Sequence, residues 1–93
     1  MKILNEDFRT LKPDDECLKL LPIEFIEKYN CLIYSHYEEG IVVLVNNSFE
    51  YSNISKLNYF IKEQLYLSLI KNDDWNELIK LIKLSQNRNQ AIN

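Results

Sequence analysis

The chain has 93 residues, 46% of them hydrophobic, with one glycine, two prolines and a net charge of −3. That composition makes one domain around a single small core and excludes a disordered linker; it gives no overall electrostatic drive toward nucleic acid or an anionic membrane. Two cysteines make no disulfide framework, so the chain reads as cytoplasmic with reduced thiols.

The first eleven residues fit two patterns. Leu4, Phe8 and Leu11 have helical spacing, whereas Ile3-Leu4 suits a short edge strand. No apolar stretch develops behind Met1 of the kind a secretory signal needs. Pro13 followed by Asp14, Asp15 and Glu16 predicts a helix start, because acids in the first turn meet the positive end of the helix dipole. Cys17, Leu18, Leu20 and Leu21 supply its inner side. Pro22 breaks that helix and opens a second, with Ile23, Phe25 and Ile26 inward and Glu24, Glu27 and Lys28 outward. Tyr29-Asn30 closes it.

Cys31–Tyr37 and Ile41–Val45 read as two strands joined through Glu38-Glu39-Gly40, a hairpin signal. The second strand is the longest apolar run in the chain, far short of a membrane span, and its lack of alternation predicts cover on both faces. A polar connection, residues 46–51, leads to a helix capped by Ser52 or Asn53, with Ile54, Leu57 and Ile61 inside. Leu65–Ile70 is a third strand. Asp73-Asp74 opens a last helix on which Trp75, Leu78, Ile79 and Ile82 form one face and Leu81 and Leu84 widen it. From Ser85 the chain is polar. The expected fold is α+β: a small three-stranded sheet backed by helices, in the order α-α-β-β-α-β-α. Residues 1–84 are the domain, and 85–93 a polar tail or the start of a linker.

Leu11, Pro13, Leu18, Leu21, Pro22, Phe25, Ile26, Tyr29, Leu32 and Tyr34 form a leucine-and-proline line that precedes the hairpin. This line, with the order of elements behind it, resembles the N-terminal domain of the ATPases that power type II secretion and type IV pilus assembly (the secretion protein E N-terminal domain family). The likeness spans about residues 11–84. It implies a docking domain separated from its motor, with the cytoplasmic part of an inner-membrane platform protein as partner and recruitment to that membrane. Two family features are missing. Val45-Asn46-Asn47-Ser48 stands where relatives often carry a small residue–Asp–Pro turn. The Arg-Leu-Gly segment through which some relatives bind cyclic di-GMP has no counterpart, so no nucleotide cofactor is expected. With one glycine there is also no phosphate-binding loop.

No catalytic or metal constellation is legible. Cys31 and His36 lie five apart on one strand and should face opposite ways. Cys17, Cys31 and His36 give at most three metal ligands without a close cysteine pair, so no metal is expected. The acids at helix starts act as caps. Tyr34, Tyr37, Tyr59, Phe60 and Tyr66 could stack bases, but no basic residues interleave with them in sequence. They suit a protein interface better.

The candidate interface is therefore what one core face leaves over: Tyr59 and Phe60, Leu81 and Leu84, with Tyr37 beside the acidic hairpin tip. An N-terminal segment folded over Leu81 and Leu84 is the competing expectation. The functional expectation is a non-enzymatic docking domain with an acidic rim around an apolar patch. Residues 1–50 hold ten acids and five bases, and residues 51–93 four and six, a split compatible with charge-guided docking. A ligand-sensing regulatory domain and a free-standing nucleic-acid-binding protein are the alternatives.

Overall fold

The apolar run at the centre of the sequence becomes the centre of a sheet. In the computed structural model, which describes residues 1–92 and side chains through residue 86, four strands lie in the order β1-β4-β3-β2. They are β1 (Lys2–Ile3), β2 (Cys31–Tyr37), β3 (Gly40–Val45) and β4 (Gln64–Leu69). The hairpin β2–β3 is antiparallel, while β3–β4 and β4–β1 run parallel. A parallel pair needs a crossover, supplied here by a 3-10 turn at Tyr51–Asn53 and helix α3 (Ile54–Phe60). Every residue of β3 is buried, as its unbroken apolar run predicts for a strand covered on both faces.

The class is α+β, but the sheet has four strands and not three. The extra strand comes from the ambiguous N-terminus. Lys2 and Ile3 pair with Tyr66 and Leu67, and the Leu4 amide donates to the Leu67 carbonyl at 2.7 Å. Leu11 is thus the end of a separate 3-10 turn, Phe8–Thr10, whose Phe8 ring meets Tyr34 edge-on at 5.7 Å. The helical spacing of Leu4, Phe8 and Leu11 does not survive, because the open edge of β4 offers hydrogen bonds that an isolated turn of helix lacks.

Helix α1 is shorter than expected. It covers Asp15–Leu18, with the Asp14 side chain accepting from the Glu16 amide at the cap. Cys17 and Leu21 are buried, but Leu20 is exposed, because the helix has already ended at Lys19. Pro22 sits just ahead of α2 (Ile23–Tyr29) in extended geometry, and Asn30 ends that helix in the left-handed conformation at φ 59°. Asparagine tolerates this better than other side chains. Its carboxamide oxygen also accepts from Asn46 Nδ2 at 3.0 Å, which ties the helix end to the turn after β3. The segment 46–51 is therefore not simply polar surface: Asn46 and Phe49 are both buried.

One irregularity sets the position of α1. The β2–β3 register slips by a residue at Tyr34, so that Ile33 faces Val43 and Ser35 faces Val42. The bulged Tyr34 carbonyl is free to accept the Asp14 amide at 3.0 Å, and its hydroxyl donates to the Leu11 carbonyl at 3.3 Å. The chain leading into α1 is thereby fixed along β2.

The last helix, α4, runs Asn72–Ile92 and buries Trp75, Ile79 and Ile82. It is held against α2 by Lys83–Glu27 at 3.3 Å and by the Ile23 amide donating to Gln86 Oε1 at 3.4 Å. Among the described residues no helix is long and apolar enough to cross a membrane.

Candidate functional site: an aromatic and apolar surface

Helix α3 buries one residue, Leu57, and presents its end to solvent. Tyr59 is 75% exposed and Phe60 64%, with their rings edge to face at 5.5 Å. Phe60 also meets Phe25 of α2 edge-on at 6.3 Å. Together with Leu20, Leu21, Pro22 and Ile61, these two rings line an apolar groove of about 460 Å³. The break after α1 makes this groove possible, since it releases Leu20 to the surface, 54% exposed.

Leu81 and Leu84 are 61% and 58% exposed on α4. The N-terminal segment does not cover them; it runs along β4 instead, where strand pairing holds it. Leu81 lines a second groove of about 250 Å³ with Pro13, Asp15, Leu18 and Lys19. Residues 18–22 thus contribute to both grooves, Leu18 and Lys19 to one and Leu20 to Pro22 to the other. Tyr37 belongs to neither. It is half-buried, donates to Glu6 Oε1 at 3.0 Å and packs edge-on against Tyr66 at 5.0 Å, so it anchors the hairpin to the N-terminal segment. The Glu6 hydrogen bond raises its phenol above the ordinary range.

Of the five aromatics considered for base stacking, Tyr34 and Tyr66 are buried in the core. Basic groups do approach the surface rings. Lys62 Nζ stands 5.5 Å from the Tyr59 centroid, and Lys56 and Lys28 stand 4.6 and 5.3 Å from Tyr29. Tyr29 in turn stacks on Phe25 at 4.5 Å. Lysines thus flank the rings next to the aromatic groove, and Asp15 lies in the Leu81 groove. Lys28 and Lys62 lie within three residues of the rings they approach, whereas Lys56 reaches Tyr29 from a different helix.

The two cysteines are buried and free. Burial, with lesser contributions from Asp14, Glu63 and Glu16, pushes Cys17 up to about 11; burial alone pushes Cys31 up to about 12. At pH 8 a thiol at about 11 is ionised in about one molecule in a thousand. Both are expected to react with an aromatic disulfide reagent at least about 100-fold more slowly than free cysteine, and at full speed once urea unfolds the chain. A fast native reaction at either thiol would contradict the burial.

The bulge also overturns the expected facing of Cys31 and His36. They pair with Val45 and Ile41, which share one face of β3, so both lie on the same face of the sheet. His36 is nevertheless engaged by α1 and not by Cys31. Its Nδ1 lies 3.0 Å from Asp14 Oδ2 and 3.5 Å from Cys17 Sγ. That hydrogen bond and the Glu16 amide hold the Asp14 carboxyl below the usual carboxylate range. The available sequence signal was Asp14 and Cys17 three apart at a helix start.

No curated protein and no solved structure is significantly similar to the chain. Residues 4–88 match the family model of the MshEN domain, nearly the whole sequence. The sheet, its helices and this match agree, and the chain belongs to the MshEN domain family, an N-terminal domain of type II secretion and type IV pilus ATPases.

Proposed function

We propose that this domain docks a secretion or pilus-assembly ATPase onto the cytoplasmic part of an inner-membrane platform protein. In this reading it carries no catalysis of its own, acts in the cytoplasm, and reaches the membrane only through that partner. Residues 1–84 form the docking unit, and 85–93, along which α4 continues to Ile92, are a polar tail or the start of a linker.

The observation that supports the reading best is the Tyr59–Phe60 pair beside an open apolar groove. Exposed aromatics next to a pocket are the usual anchors of a protein interface, whereas a lone exposed leucine needs no partner. The lysine rim favours a partner segment whose apolar side chains are flanked by aspartate or glutamate. Leu81 and Leu84 extend the contact on the other side of residues 18–22.

Calorimetric titration with the purified cytoplasmic part of the platform protein tests this. Phe60→Ala and Tyr59→Ala are each expected to weaken binding at least tenfold while leaving the thermal midpoint within a few degrees, roughly the signature of exposed hot-spot residues. Leu81→Glu should weaken it too. Absence of binding by the unaltered chain, or binding indifferent to both aromatic substitutions, would overturn the proposal. Salt-sensitive binding to oligonucleotides would direct attention to the lysines and the nucleic-acid alternative.

A further inference from the structure

Three Lewis-basic atoms from different parts of the chain meet where α1 crosses β2. Asp14 contributes a carboxylate oxygen, Cys17 its sulfur and His36 Nδ1, all within 4.8 Å of one another. Asp14 and Cys17 share one side of the helix start, and the bulge at Tyr34 fixes that start against the strand bearing His36.

We infer that Asp14, Cys17 and His36 form a binding site for a divalent transition-metal ion of the zinc type. The donor set suits it, since a thiolate and an imidazole select zinc over the harder magnesium or calcium. Two of the three spacings suit it as well, and the third pair, the Cys17 sulfur and the Asp14 carboxylate oxygen, lies within 4.8 Å. A tetrahedral zinc with sulfur at about 2.3 Å and nitrogen at about 2.0 Å sets those donors roughly 3.5 Å apart. The observed Cys17 Sγ to His36 Nδ1 distance is 3.5 Å, and Nδ1 to Asp14 Oδ2 is 3.0 Å.

The protonation pattern is equally simple. An Nδ1 this close to a carboxylate oxygen carries the hydrogen that bridges them. A metal ion takes the place of that hydrogen, which moves through solvent to Nε2 of the neutral ring, and the Cys17 thiol proton leaves to solvent. Asp14 Oδ1 is already occupied by the Glu16 amide, which aims Oδ2 at the site. Three protein ligands leave a fourth position to water or to a further carboxylate. The site is independent of the docking reading, although a metal here would clamp α1, which leads directly into residues 18–22.

Cobalt(II) titration of the reduced 93-residue chain, followed by absorption, is the test. The expected result is a saturable one-to-one near-ultraviolet thiolate-to-cobalt band, displaced by zinc(II) and retained in Cys31→Ala. His36→Gln and Cys17→Ala should abolish the band and lower zinc affinity at least about tenfold. His36 is exposed, so its variant is expected to fold, and circular dichroism verifies this. Zinc in excess should also raise the thermal midpoint of the unaltered chain but not of His36→Gln. No band at millimolar cobalt, a band that survives Cys17→Ala or His36→Gln, or one lost in Cys31→Ala would overturn the inference.

Discussion

Gly40→Ala is expected to destabilise the domain by about 3 kcal/mol and to lower its thermal midpoint by on the order of 15 °C. The reason is not the hairpin turn. Gly40 has no positive φ; Glu38 takes that conformation, at 50°. Gly40 is instead the first residue of β3, paired with Tyr37 on one side and Gln64 on the other. A methyl group there would collide with the Gln64 carbonyl and come within 2.8 Å of the Tyr66 ring. The first obstacle is backbone of a paired strand, so relief requires β3 and β4 to part at the start of their ladder. Glu38→Gly provides the contrast. Removing a side chain from a left-handed residue should be neutral or gain about 1 kcal/mol. Thermal unfolding of the two variants separates the roles, and a Gly40→Ala protein as stable as the parent would show that the strands yield easily.

Leu57→Ala carries the second large expectation, a loss of about 3 kcal/mol in urea denaturation. Leu57 is the one buried residue of α3, and that helix is the crossover between the two central strands. A domain of this size is stable by roughly 5–14 kcal/mol in total, so this single truncation is a substantial part of it. The functional consequence follows from position. Tyr59 and Phe60 lie two and three residues beyond Leu57, which seats α3 on the core with the partly buried Ile54 and the buried Ile61 just past its end. Leu57→Ala should thus weaken docking and stability together, whereas Phe60→Ala should weaken docking alone. If Leu57→Ala left stability near the parent value, α3 would be held mainly by its ends and the aromatic pair would not be a rigid anchor.

Much of the fold was legible because it rests on local rules. Asp14 to Glu16 and Asp73-Asp74 mark helix starts through the dipole, Asn30 marks a helix end, and the Ile41–Val45 run marks a strand covered on both faces. The leucine-and-proline line led to the family, because it encodes where α1, α2 and β2 follow one another. The exposed members of the candidate surface, Tyr59, Phe60, Leu81 and Leu84, were found by subtracting one core face from each helix.

The remainder depended on partners distant in sequence. Residues 2–3 pair with β4 because its edge was open; Ile3-Leu4 suited an edge strand as well as a helical turn, and the free edge decided between them. Tyr37 anchors the hairpin to the N-terminal segment because Glu6, far away in the chain, supplies its hydrogen bond. Lys56 of α3 reaches the ring of Tyr29 on α2, a contact between segments far apart in the chain. A one-residue bulge at Tyr34 changes which side chains of β2 share a face and brings His36 to Cys17 and Asp14. Sequence by itself determined most of the elements from Pro13 onward, their order and most of their inward faces, since periodicity and capping act within a few residues. Tertiary structure alone decided the strand count, the need for glycine at position 40 and the company each polar group keeps, since those follow from contacts between segments that no local pattern specifies.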